Sequence, residues 1–122
     1  MILVDTSVWI DHLRHGEPGL ASALETESVL THPFVIGELA CGGIRNRAEF
    51  LDLIGRLARP PLATDEEALQ LIDRYSLTSR GIGYIDVHLL ASTLLLPGAR
   101  LWTKDRQLAS IASELMIGPK AA

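Results

Sequence analysis

The sequence predicts one α/β domain, a central parallel β-sheet with helices on both faces. Three observations predict it. Short apolar runs alternate with helical periods along the chain, the pattern of strand–helix–strand units whose strands lie parallel. The opening Met1-Ile2-Leu3-Val4-Asp5-Thr6-Ser7 is an apolar run that stops at an acid and two hydroxyls, so a buried strand delivers polar groups at its carboxyl end. The 122 residues are 48% apolar and 5% aromatic, enough for one core built from Leu, Ile, Val and Ala and too apolar for a disordered chain.

The first strand ends at Asp5. Thr6 or Ser7 is placed to cap the helix that carries Val8, Trp9 and Leu13. Gly16 and Pro18 break the chain, and Glu17 to Glu25 reads as a second short helix. Ser28-Val29-Leu30-Thr31 reads as the second strand. Pro33 suits the first turn of a helix through Glu38, Leu39 and Ala40, which Gly42-Gly43 ends or bends. Phe50, Leu51, Leu53, Ile54 and Leu57 give a helical period within Arg47 to Leu57.

Pro60-Pro61 is a sharp break, and Leu62-Ala63 is a candidate for a very short strand. Thr64, with Glu67 three residues later, forms a capping-box pattern for a helix to about Tyr75. Thr78 to Gly83 reads as a loop. Ile85 to Leu95 is a mostly apolar, hence buried, helix. After the Pro97-Gly98 turn, Arg100-Leu101-Trp102-Thr103 is a strand, Arg106 to Ser113 a helix, and Leu115-Met116-Ile117 a candidate edge strand. The domain is expected over residues 1–118, with a disordered tail at 119–122. There is no internal repeat, low-complexity tract or linker.

Charge and composition narrow the function classes. The formal net charge is -4, from 15 acids and 11 bases. Setting aside four acids discussed below leaves 11 against 11, a neutral remainder that admits a nucleic-acid substrate but argues against duplex binding through a broad basic face. Cys41 is the only cysteine, so no internal disulfide forms and a reducing cytoplasm is the natural setting. The longest apolar stretch, Val87 to Leu96, falls short of the roughly 20 residues that span a bilayer, and no membrane association is expected.

Four acids stand in positions that a surface carboxylate does not need. Asp5 follows a buried strand. Glu38 sits in Phe34-Val35-Ile36-Gly37-Glu38-Leu39-Ala40 and Asp86 in Tyr84-Ile85-Asp86-Val87-His88-Leu89-Leu90, both nearly all apolar. Asp105 follows the strand Arg100-Leu101-Trp102-Thr103 and Lys104. Carboxylates in apolar surroundings are costly unless paired, neutralised or bound to metal. Four together repel, and a divalent cation is the natural compensation. An oxygen-only donor set favours Mg²⁺ or Mn²⁺ over zinc, and no Cys/His cluster has zinc spacing. Such a site activates a water and stabilises the leaving oxygen of a phosphodiester. Singly, each acid also reads as a helix cap, a dipole partner or a solvated residue.

Thr6, Ser7 and Thr103 lie beside these acids and are candidates to orient a carboxylate, with capping as the competing role. Lys104, Arg106 and Arg80 are candidates for contacting substrate phosphates, with Arg45 and Arg47 behind them. His12, His15, His32 and His88 show no paired spacing, and His88 reads as a helix residue near the site. Trp9 and Trp102 read as core or interface residues, and Cys41 as an inert buried thiol.

The residues that carry these readings also carry a resemblance. Ile2-Leu3-Val4-Asp5-Thr6-Ser7-Val8-Trp9-Ile10, Glu38-Leu39 on a helix, Tyr84-Ile85-Asp86-Val87-His88-Leu89-Leu90-Ala91-Ser92 and Leu101-Trp102-Thr103-Lys104-Asp105 resemble the PIN domain, and more narrowly the VapC-type ribonuclease toxins of bacterial toxin–antitoxin pairs. The resemblance runs from Met1 to about Leu108. It implies a compact α/β nuclease domain and a Mg²⁺- or Mn²⁺-dependent endoribonuclease, with Asp5, Glu38, Asp86 and Asp105 as the catalytic and metal-binding acids. It also implies an RNA substrate, a homodimer, and a small antitoxin that forms a higher complex and presses a peptide segment against the acidic pocket. Many relatives place a further aspartate two residues after the last acid. Here that position is Gln107, which puts a second metal in doubt.

Two other classes compete. A catalytically weak or inactive PIN-like binding module would keep the fold without turnover, and Gln107 is its motivation. A receiver or phosphatase domain also gathers acids at strand ends, with Lys104 and Asp65 as possible counterparts. Receivers, however, pair adjacent acids after the first strand, where Thr6 follows Asp5, and haloacid-type phosphatases need an aspartate where Ser7 stands.

Overall fold

The computed structural model describes residues 1–119. Its elements are β1 (Ile2–Val4), α1 (Thr6–His15), α2 (Pro18–Glu25), β2 (Val29–Leu30), α3 (Pro33–Ala40), α4 (Arg47–Gly55), α5 (Asp65–Arg74), α6 (Tyr84–Leu94), β3 (Arg100–Trp102) and α7 (Arg106–Glu114). The expected tail falls mostly on residues 120–122, outside the described residues.

The sheet is parallel with order β2-β1-β3, so the first strand lies in the middle. Leu3 sits opposite Leu30 on one side and Leu101 on the other, and Val4 opposite Trp102. Leu3, Val4, Leu30 and Leu101 are all but inaccessible to solvent, as expected for a parallel sheet covered on both faces. The core continues into the helices through Val8, Leu20, Val35, Leu39, Leu89, Leu90, Leu108 and Ile111. The helix expected over Ile85 to Leu95 is α6, buried from Val87 to Thr93. Trp9 is buried in the core, against the edge of Phe50, and Trp102 packs partly buried against it.

Several local expectations give way to tertiary structure. The α1 cap is Asp5 itself, whose Oδ1 accepts from the Thr6 N–H, and Thr6 and Ser7 lie inside the helix. Thr64 and Glu67 do form the reciprocal capping box of α5. His32, not a hydroxyl or acid, caps α3, its ring Nδ1 accepting from the Phe34 N–H. Leu62-Ala63 is not a strand. The ladder is extended four residues before Leu62, by a bridge between Leu30 and Ala58. Leu115-Met116-Ile117 is not a strand either. Met116 turns through a positive φ, and the segment reaches β3 through the Leu101 N–H to Ile117 carbonyl bond of 2.7 Å and the Arg100 guanidinium on the Met116 carbonyl at 3.0 Å. Cys41, at the end of α3, is exposed rather than buried.

Candidate active site

β1 delivers Asp5 to the carboxyl edge of the sheet, where it is 6% exposed and held from several sides. Oδ1 takes the Thr6 N–H at 2.7 Å. Oδ2 takes the Ser7 hydroxyl at 2.8 Å and the Thr103 hydroxyl at 2.7 Å. Each hydroxyl spends its proton on Asp5 and accepts a backbone N–H in return, Lys104 to Ser7 and Asp105 to Thr103. The loop after β3 is thereby fastened to the loop after β1, and the Asp5 carboxylate has one orientation. The three hydroxyl positions singled out in the sequence lie beside the acids, and Thr6 turns outward from Asp5 to donate to Glu38 Oε1 at 2.8 Å.

The other acids arrive on helix starts and a helix face. Asp86, in the first turn of α6, accepts the Gly83 N–H at 3.1 Å. Asp105 caps α7 by accepting the Leu108 N–H at 2.9 Å. Burial pushes the Asp86 carboxyl up from its ordinary value. The Gly83 N–H opposes the shift, and the charges of Asp5, Asp105 and Glu38 add to it. All four acids therefore share one electrostatic neighbourhood. Each of Glu38, Asp86 and Asp105 uses one oxygen on a local donor. Among the described residues, no three His, Cys, Asp or Glu side chains converge tightly enough to form a ready-made metal cage. The donor chemistry, carboxylate oxygen only, suits a hard divalent ion.

The basic candidates are differently engaged. The Lys104 ammonium reaches away to Asp11 at 2.5 Å and Glu17 at 2.9 Å, which tie it to α1 and the start of α2. Arg80 forms a two-pronged pair with Glu114, at 3.2 and 2.7 Å. It borders a shallow depression with Arg106, Gln107 and Ser110. Gln107 lies over Gly81, whose missing Cβ would stand 3.0 Å from the Gln107 Cγ. Arg47 caps the C-terminus of α3 through the Ala40 carbonyl. Beside Glu38 a cleft of about 430 Å³ opens between α1 and the end of α3, lined by Ile10, Leu13, Leu39 and Ile44 with Arg14 and Arg45.

One group of residues was not singled out as a cluster in the sequence. His32, Phe34, Tyr84 and His88 form a run of rings with neighbouring centroids 4.6–5.1 Å apart. The His88 Nε2 and the Tyr84 hydroxyl both bond Asp65 Oδ1, at 3.0 and 2.5 Å. His32 accepts at Nδ1, so its proton sits on Nε2 and points to Ser92 Oγ, 3.3 Å away. Burial pushes the His32 imidazole down to about 4, and His88 and Arg59 act the same way. The only sequence signal was the i, i+4 spacing of Tyr84 and His88 at a helix start.

Comparison with known proteins bears on this arrangement. The family model described as PIN domain matches residues 2–114. Two proteins named Ribonuclease VapC32, from Mycobacterium tuberculosis strains CDC 1551 / Oshkosh and ATCC 25618 / H37Rv, are each 46% identical over 114 residues. The alignments cover 93% of this chain and 92% of each relative.

Proposed function

The chain belongs to the PIN domain family, and from that premise we propose that it is a metal-dependent endoribonuclease, the toxin of a toxin–antitoxin pair. The observation that carries the proposal is the common electrostatic neighbourhood of Asp5, Glu38, Asp86 and Asp105 at the carboxyl edge of the sheet. The 46% identity to proteins named ribonucleases, over nearly the full length of both, supports the RNA substrate.

The carboxylates of these four residues would hold Mg²⁺ or Mn²⁺, Glu38, Asp86 and Asp105 through their free oxygens and Asp5 through a remaining lone pair of Oδ1, which accepts only the Thr6 N–H. Such an ion supplies charge stabilisation on a phosphodiester and lowers the pKa of a bound water. Asp5, fixed by Ser7 and Thr103, presents a carboxylate that does not have to reorganise when substrate arrives. Burial and the neighbouring carboxylates disfavour the ionised form of Asp86, a cost that a cation held there would relieve. Glu38 is positioned through Thr6, and Asp105 stands at the N-terminus of α7. Arg106 and Arg80 border the Gln107 depression and are the candidate phosphate contacts; the Lys104 side chain would have to leave two carboxylates to join them.

The cleft beside Glu38 supports the partnership. Its apolar walls and two arginines suit a peptide segment of an antitoxin laid toward the acids. A homodimer and a higher complex with antitoxin belong to the same proposal. Among the described residues no helix is long and apolar enough to cross a membrane.

The test is expression of the chain alone in bacteria beside Asp5→Ala and Asp86→Asn, with growth and total RNA followed over time. Growth arrest with discrete RNA fragments from the wild type only is the expected result. Intact RNA, together with purified protein that cuts nothing in Mg²⁺ or Mn²⁺, would refute it and favour a binding-only module.

A further inference from the structure

The ring cluster is a feature that the acidic site does not use. It begins on the same helix face as the acids, because Phe34 and Glu38 are four residues apart on α3 and so are neighbours, about 5–6 Å between Cβ atoms. On α6 the two functions interleave, with Asp86 flanked by Tyr84 and His88. The cavity there holds about 430 Å³, within the range of small-ligand sites. Its lining includes His32, Phe34, Leu62, Asp65 and His88.

The chemistry of this cavity is specific. Phe34 and Tyr84 are 38% and 42% exposed, so aromatic surface faces solvent beside a charged group. The Asp65 side chain is 79% exposed, yet the Tyr84 hydroxyl and His88 pin its Oδ1. A solvent-facing carboxylate does not need two side-chain partners to hold it still. With Oδ1 taken, Oδ2 is the oxygen that has no partner among the described residues, and its direction is fixed. Behind it His32, Ser92 and the Ala63 N–H stitch the α3 cap, α6 and the 62–64 loop together, so the wall is rigid. Single-stranded RNA is read by splaying a base onto aromatic side chains and bonding its edge.

We propose that this cavity is a nucleobase subsite, in which an unstacked RNA base beside the cleaved phosphate packs on Phe34 and donates an exocyclic amino proton to Asp65, whose other oxygen Tyr84 and His88 hold. The proposal rests on the ribonuclease reading and adds a specificity element to it. A carboxylate accepts only, and an oxygen placed for the exocyclic amino group of adenine, cytosine or guanine meets a carbonyl oxygen at the corresponding position of uracil, whose sole Watson–Crick donor is N3–H, so uracil is disfavoured.

The test uses the full chain in EDTA, with fluorescein-labelled hexamers of adenylate, cytidylate and uridylate, and affinities from anisotropy at fixed salt. The wild type should bind the adenine and cytosine hexamers at least about 5-fold more tightly than the uracil one. Phe34→Ala should weaken all three by about 5- to 150-fold, the range of base–aromatic stacking, and Phe34→Leu, which keeps the apolar volume, should do so more mildly. Asp65→Asn should erase the discrimination against uracil while the far-ultraviolet circular dichroism is unchanged. Equal affinity for the three hexamers, with Phe34→Leu and Asp65→Asn unaltered, would overturn the subsite. Cleavage of cellular RNA in Mn²⁺, with Asp5→Ala as control, runs beside it. Cutting without base preference removes the subsite and leaves the nuclease, and base preference without cutting removes the nuclease and leaves the subsite.

Discussion

Thr103→Val changes one hydroxyl for one methyl and keeps the β-branched shape. In the structure that hydroxyl gives a 2.7 Å bond to Asp5 Oδ2 and receives the Asp105 N–H at 3.1 Å. A hydrogen bond to a charged group contributes about 1.5–3 kcal/mol, and water fills part of the gap at a half-buried position, so about 1–2 kcal/mol of stability should be lost. For a chain of this size that lowers the melting temperature by roughly 3–8 °C. The larger effect should be functional. Groups that orient metal-binding carboxylates typically cost 10- to 100-fold, roughly, in metal affinity or activity when removed. The assay is the rate of RNA cleavage titrated with Mn²⁺, paired with thermal unfolding in EDTA. Ser7→Ala, which removes the other hydroxyl on the same oxygen, should couple with Thr103→Val by about 0.5 kcal/mol or more in a double-mutant cycle. A Thr103→Val protein that melts lower but keeps the wild-type Mn²⁺ midpoint and rate would refute the claim that this clamp prepares Asp5 for its ligand.

Other consequences are as direct. Asp86→Asn should abolish cleavage yet raise stability by roughly 1 kcal/mol, because burial and three neighbouring carboxylates disfavour its charge. Urea unfolding and a cleavage assay on the same preparation check it. Asp105→Ser should keep the α7 cap and lose cleavage, whereas Asp105→Ala should lose cleavage and an additional ~1 kcal/mol of stability. His32 is held neutral in the fold, from 6.5 unfolded to about 4 folded. Between these values the unfolded chain binds more protons, so its contribution is complete above pH 6.5 and is lost as pH falls toward 4, about 3 kcal/mol in all. The stability gap between wild type and His32→Asn should therefore shrink by about 2 kcal/mol from pH 7.5 to 5 in urea melts. A gap independent of pH would count against a neutral buried imidazole.

Much of this molecule was legible in its sequence because the relevant signals are local. Ile2-Leu3-Val4 followed by Asp5 shows a strand and what it delivers. Thr64 and Glu67 show a helix start, and the unbroken apolar run around Asp86 shows a buried helix. The grouping of the four acids rests on placing them at strand ends and helix starts of one α/β domain. What the sequence hid depends on distant partners. His32 meets Ser92 across 60 residues, and Asp65 meets His88 across 23, so neither pair leaves a spacing to read. Leu62-Ala63 looked like a strand because it follows two prolines, while the chain meets β2 earlier, at Ala58. Thr6 and Ser7 have the right chemistry for a cap, but Asp5 takes that role because its extended backbone already precedes the first turn. The ammonium of Lys104 could not be placed from its neighbours, since Asp11 and Glu17 come from the far end of the chain.

The middle position of β1 has a bearing on how such a protein is made. Its neighbours in the sheet come from residues 29–30 and 100–102, so the first strand synthesised waits for the last before it is enclosed. Asp5 is likewise unclamped until Thr103 exists, and the fourth carboxylate arrives two residues later still. A growing chain emerging from a ribosome therefore has none of these acids clamped together until residues 100–105 are made. The four carboxylates meet only once the third strand has closed on the first.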